Sequence, residues 1–379
     1  MTPLALTVLA EIGDGDRPHA SPYVRLIRPL THPSLAAAVK PRFAIDFHGE
    51  AVDAVVLDRL WGPWVNRSNA ADLLGRVRRA GRKLIFSLDD NLLDRRQDGG
   101  TWPKDADIAI LEQFASEADG ILVSTEPLAE RMTRYNRRIA VVPNALDERL
   151  VVGGRLPRLV PAFDAAPPVV IGWMGTRTHD ADLAAIAPAL HELARRHGPR
   201  VRFECVGVLE HPTSRGLLDG LDVHYVTPRP QELEYPLFML WFTSRIHWDI
   251  GLAALADTPF TRGKSDLKSL DYAAIGAAGI YSDVPAYRNG VVHGETGWLV
   301  ANTAEDWTDG LDRLVTDAAL RERLAIAAAR ALYAERTLAR RAGDWLDAVT
   351  WLLDDSQSTT WTHPWRLFGA RTMILEQGA

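Results

Sequence analysis

A chain of 379 residues exceeds what one hydrophobic core ordinarily supports, so two domains are expected. With 47% hydrophobic and 24% charged residues it is neither disordered nor fibrous. A net charge of -6 argues against a nucleic-acid partner, and a single cysteine, Cys205, excludes an intramolecular disulfide or a multi-thiolate zinc site, which fits a cytoplasmic setting.

The apolar opening around residues 4–9 lacks a basic leader and a small-residue cleavage site and reads as a first buried strand. A flexible loop with Asp14 and Arg17 follows, then a helix carrying Tyr23. Further strands are predicted at 54–57, 83–87, 120–124 and 140–142, alternating with amphipathic stretches such as 69–80, where Leu73, Leu74 and Val77 oppose Arg76, Arg78 and Arg79. That alternation is the pattern of βαβ units on a parallel sheet. Residues 1–150 therefore form one Rossmann-like domain.

Between 151 and 168 glycines and prolines replace any periodic face, which marks a linker. A second doubly wound domain is expected over 169–353, with strands at 169–173, 201–206, 223–226, 250–253 and 279–282 and a long helical region from 306. The remaining segment, 354–379, with Trp361 and Trp365, is expected to pack back on the first domain. Its tryptophans suit a domain staple better than an interfacial anchor, although peripheral membrane contact stays open.

Two loops after strands of the second domain carry the chemistry. The first contains Gly175, Thr176, Arg177, Thr178, His179 and Asp180; glycine admits an anion to the backbone, Arg177 offers a planar fork, and the next helix points its positive end there. An ordinary strand-to-helix turn capped by Asp180 reads equally well. The second loop contains Lys264, Ser265, Asp266, Leu267 and Lys268. Here a helix start presents free N–H groups between two lysines, which suits a diphosphate, while Asp271 one turn on could accept ribose hydroxyls. Ala273, Ala274 and Gly276 would let that helix approach its sheet.

These residues, with Ser282-Asp283-Val284 and the run from His293 to Val300, resemble retaining glycosyltransferases of family four, in particular O-antigen and capsule-type members. The resemblance covers most of residues 50–345 and is carried also by 118–130 and 141–147. It implies a bacterial GT-B enzyme of polysaccharide biosynthesis, with two Rossmann-like domains facing a cleft. It implies hexosyl transfer from a nucleotide diphosphate-sugar to a glycan or lipid-linked glycan, with retention and no cofactor or obligatory metal. The family usually carries two glutamates eight residues apart; here Asp271 fills the second position and Gly263 the first.

Catalysis would fall to Arg177 and Lys264, stabilising the departing diphosphate. Asp89 and Asp90, after the 83–87 strand, could orient or deprotonate an acceptor hydroxyl, could bind a divalent ion, or could serve only as a solvated charge and a cap. Asp14, Arg17, Tyr23 and Arg59 complete the expected acceptor side. A nucleotide-sugar epimerase and a non-catalytic sugar-nucleotide or glycan-binding scaffold are the rival readings; location at the inner face of the membrane is compatible with all three.

Overall fold

The computed structural model describes residues 2–379 apart from Asp14, Asp16, 96–101, 154–166, 176–178, 208–215, 357–360 and 363–379. Strands β1 (Leu4–Leu9), β2 (Val39–Phe43), β3 (Ala54–Asp58), β4 (Lys83–Leu88), β5 (Gly120–Val123), β6 (Ile139–Val141) and β13 (Trp361–Thr362) form one sheet, ordered β13-β6-β5-β4-β3-β1-β2. The second sheet is ordered β12-β11-β10-β7-β8-β9. It is built from β7 (Val169–Gly175), β8 (Val201–Gly207), β9 (Val223–Val226), β10 (Ile250–Ala253), β11 (Ala278–Ser282) and β12 (Trp298–Val300). All pairings in both sheets are parallel.

Alternation along the central strands divides each sheet between two cores. Leu6, Val8, Ala54 and Val56 enter one apolar cluster, while Leu9, Val55 and Leu57 enter the cluster on the opposite face. Strand β2 escapes the sequence reading because it is an edge strand: only Val39 is buried, and Pro41 interrupts the run.

The helical region after 304 is three helices, Ala304–Thr316, Ala318–Glu335 and Leu338–Leu353. The last belongs elsewhere than expected. Leu338, Ala342, Trp345, Ala348, Val349 and Leu352 are buried against Leu6, Val8, Ile85 and Leu122, so this helix completes the first domain, not the second. Its amphipathic period was legible, but nothing in a stripe of apolar residues names the sheet that will cover it. The chain crosses between domains twice, and the crossings meet: Leu146 and Thr337 form a parallel bridge, with Leu146 N–H donating to Arg336 and Leu338 N–H to Leu146. Beyond the helix, Trp361–Thr362 add a strand beside β6.

Candidate functional site at the two switch points

In each sheet the strand order reverses at one place, and a crevice opens where two adjacent strands send their connections in opposite directions. In the second sheet the reversal lies between β7 and β10. Its flanking loops are the two singled out in the sequence, the glycine turn after β7 and the turn through Lys264 after β10. In the first sheet it lies between β1 and β3, which puts Glu11 and Arg59 at the corresponding crevice.

The helix Leu267–Ala274 is pressed onto the second sheet by the sheet's own glycines. Gly172, Gly251 and Gly279 lie side by side across β7, β10 and β11. A Cβ on Gly251 would come within 2.6 Å of the Tyr272 ring, and one on Gly172 within 1.7 Å of Trp248. Tyr272 occupies the room thus left and donates its hydroxyl to Leu252 O. Ala273 and Ala274, expected to face the sheet, instead pack among Leu146, Leu150 and Leu332. The helix start is thereby fixed beside the switch point.

Asp182 ties the two turns together: it accepts from His179 Nδ1 at 2.8 Å and from Ala256 N–H at 2.9 Å. His179, rather than Asp180, occupies the N-cap position. Burial holds its imidazole well below the usual histidine range, the Lys268 charge adds to that, and Asp182 opposes it. His179 is thus neutral at pH 7. Gly175 closes against it, since an added Cβ would lie 3.0 Å from Trp173 Nε1 and 3.3 Å from His179 Cβ. Thr176, Arg177 and Thr178 lie outside the described residues.

Lys268 Nζ sits 4.7 Å from the Trp173 ring centre and is buried without a hydrogen-bond partner among the described residues. Burial pushes it down to about 8, with Asp182 opposing and Lys264 adding. One turn on, Asp271 is buried with Oδ1 unpartnered, and burial pushes its carboxyl up to about 7 against the pull of Lys268. A cation and an acid with unused hydrogen-bonding capacity therefore share one helical face.

Three neighbouring residues have other employment. Asp266 is gripped by Arg336 through two bonds of 2.8 and 3.0 Å, and Arg336 also donates to Asn144 O. A carboxylate so engaged is a poor contact for a donor sugar, and the sequence could not reveal a partner 70 residues away. Ser265 Oγ accepts from Asn144 Nδ2 at 2.8 Å. Leu267 packs its side chain against the cluster of Leu146 and Leu332, leaving only its backbone for a ligand.

On the facing domain, Arg59 has φ +46° and is mostly enclosed. Its Nε donates to Asp89 at 2.9 Å and its Nη1 to Glu11 at 3.2 Å, and Nη2 approaches Asp90 at 3.4 Å. The expected acceptor contact is thus a hub that neutralises three carboxylates. Although burial works the other way, Arg59 holds Asp89 below the usual carboxylate range, which makes Asp89 a poor base. Beneath them Asp58 is fully buried, and burial pushes it well above that range.

Tyr23 is likewise committed, donating to Glu234 of the second domain and stacking on Tyr235 at 6.2 Å. Arg17 is exposed on the loop after β1, and Asp14 lies outside the described residues. Arg25, on the segment expected at the cleft, is fully buried. It donates to Val142 O at 2.6 Å, Asn144 Oδ1 at 2.8 Å and Val123 O at 3.0 Å, bracing the carboxyl ends of β5 and β6.

The two domains touch where these loops meet. Thr125 Oγ1 donates to Gly263 O at 2.9 Å, Asn91 Nδ2 to Pro259 O at 3.1 Å, and Lys264 Nζ lies 3.2 Å from Asp90 Oδ1. A small crevice of about 60 Å³, open to solvent, lies between Thr125 and Asn144 on one side and Lys264, Ser265 and Arg336 on the other.

No family model and no curated protein matches the chain. Solved structures do. Sucrose-phosphate synthase from Thermosynechococcus elongatus superposes with a TM-score of 0.65 at 14% identity, over 92% of this chain and 98% of that one. Anabaena HepE, solved with UDP and glucose, gives 0.62 at 11% over 92% and 99%. TarM gives 0.53 at 12% over 78% of this chain, which spans 54% of TarM's own length. The fold is GT-B. In that frame the second sheet's switch point and the first sheet's acidic crevice are the facing walls of the GT-B cleft. No helix among the described residues is long and apolar enough to cross a membrane.

Proposed function

We propose that the protein is a retaining glycosyltransferase that takes a hexosyl group from a nucleotide diphosphate-sugar and passes it to a hydroxyl of a glycan or lipid-linked glycan. The observation that carries this reading is the pair of unpartnered buried groups, Lys268 Nζ and Asp271 Oδ1, on the helix whose start borders the switch point. A nucleoside diphosphate offers both complements: phosphate oxygens for the ammonium and ribose hydroxyls for the carboxyl. HepE, of similar fold, was solved with UDP-glucose.

In this reading the free N–H groups at the start of the Leu267–Ala274 helix, with Lys264, Lys268 and Arg177, stabilise the charge that gathers on the diphosphate as the bond from the sugar anomeric carbon breaks. The acceptor hydroxyl arrives on the same face, its oxygen bonds to that carbon, and its proton passes to a phosphate oxygen. Cations and a helix start then do the work that a divalent metal does elsewhere, and Asp90 orients the acceptor. Gly175 and the neutral His179 shape the turn that faces the phosphates.

Lys264→Ala is expected to weaken nucleoside diphosphate binding about 10- to 100-fold, the worth of one charge-assisted contact, with the melting temperature little changed. Titration calorimetry across uridine, guanosine and thymidine diphosphates measures it. Unaltered affinity for the tightest of the three removes Lys264 from the site. Product analysis with the matching sugar donors completes the test: transferred or hydrolysed sugar supports the transferase, an interconverted donor an epimerase, and binding alone a scaffold.

A further inference from the structure

Asp90 differs from the carboxylates around it in having its partner across the cleft. Asp89 and Glu11 are held by Arg59 within the first domain, and Arg59 Nη2 reaches Asp90 only at 3.4 Å. The close partner of Asp90 is Lys264, 3.2 Å away, and both side chains are about one-fifth exposed at 21% and 20%. We infer that Lys264 is exchanged between Asp90 and the diphosphate of the donor, so that donor binding uncovers Asp90 for the acceptor hydroxyl and each substrate favours binding of the other.

The backbone around Lys264 leaves its head group as the moving part. Its N–H donates to Thr261 O at 3.0 Å, the preceding carbonyl accepts from Thr125, and Gly263 lies so close to the first domain that an added Cβ would be 3.0 Å from Asn91 Cβ. The ammonium rests 4.7 Å from the Phe260 ring centre and contributes to the field that disfavours protonation of His179. From one anchored stem it can therefore serve the acidic wall or the neighbourhood of His179. With Lys264 on Asp90, the acidic wall offers a hydroxyl a carboxylate already neutralised; with Lys264 on phosphate, that carboxylate keeps only the 3.4 Å contact from Arg59 and has an oxygen to accept with. Because binding couplings are reciprocal, an acceptor held by Asp90 would in turn release Lys264 to the donor.

The exchange rests on the donor-site reading above, and the experiment separates the two. Uridine, guanosine and thymidine diphosphates are titrated into wild type, Asp90→Asn, Lys264→Met and the double variant. Asp90→Asn is expected to tighten binding about 3- to 10-fold, since the lysine no longer has a rival carboxylate, and to do nothing in the Lys264→Met background. Equal or weaker binding by Asp90→Asn overturns the exchange while leaving the donor site standing. Failure of all three nucleotides to bind wild type overturns both. A measurement on unmodified protein guards against misfolded variants: carbodiimide labelling read by mass spectrometry should find Asp90 at least about twofold more reactive with saturating nucleotide and Asp89 unchanged. No rise at Asp90 refutes the exchange.

Discussion

Replacing Lys268 by methionine is expected to make the protein more stable and at the same time to weaken nucleoside diphosphate binding severely. The ammonium is buried without a hydrogen bond, and its proton leaves near pH 8 in the folded chain. In the unfolded chain it leaves at about pH 10. Between those values the unfolded chain holds more protons, so wild-type stability rises with pH across the window, and the cost of the buried charge is fully present below it. Methionine keeps the stem and removes that cost, worth roughly 1–3 kcal/mol at pH 7 and fading toward pH 10. Binding should fall about 100-fold, because a phosphate would meet a thioether where the cation stood. Urea denaturation at pH 7 and pH 10, paired with calorimetry, measures both. A variant that is less stable at pH 7, or that binds as wild type does, refutes the idea that this lysine is kept unpaired for a ligand.

Trp345→Ala should cost the first domain about 3–5 kcal/mol, the usual range for an aromatic removed from a close-packed core. Trp345 is fully buried, its indole N–H donates to Arg25 O, and Arg25 lies 5.5 Å over its ring. The loss therefore spreads to the guanidinium that braces β5 and β6. Hydrogen exchange followed by mass spectrometry should find faster opening at β1, β3, β4 and β5, with much less change at β7, β8 and β10. Deprotection confined to the second sheet, or a stability change below about 1 kcal/mol, would contradict the assignment of the last long helix to the first core.

The two predictions differ in how far they could have been made without coordinates. The placement of Lys268 and Asp271 was legible because it is local: residues three apart on one helix share a face, and a helix that follows a strand starts at the sheet's carboxyl edge. The strands on either side of the switch point were legible for the same reason, as short apolar runs broken by turn residues. Trp345 was not. Its partner Arg25 lies 320 residues away, and the period of the 338–353 stretch announces a buried face without naming what buries it.

The sequence by itself determined that there would be two doubly wound units, which loops would stand at their carboxyl edges, and that one of those loops would be rich in cations and free amide hydrogens. Tertiary structure alone decided which charges remain available. Arg59 is consumed by Glu11 and Asp89, Asp266 by Arg336, and Tyr23 by Glu234, whereas Lys268 and Asp271 keep unused capacity and Lys264 is held only by a carboxylate of the opposite domain. The reason is physical: local pattern sets backbone and burial through near neighbours, while an ionic group's role depends on every charge within a few ångströms, most of them brought there by distant parts of the chain.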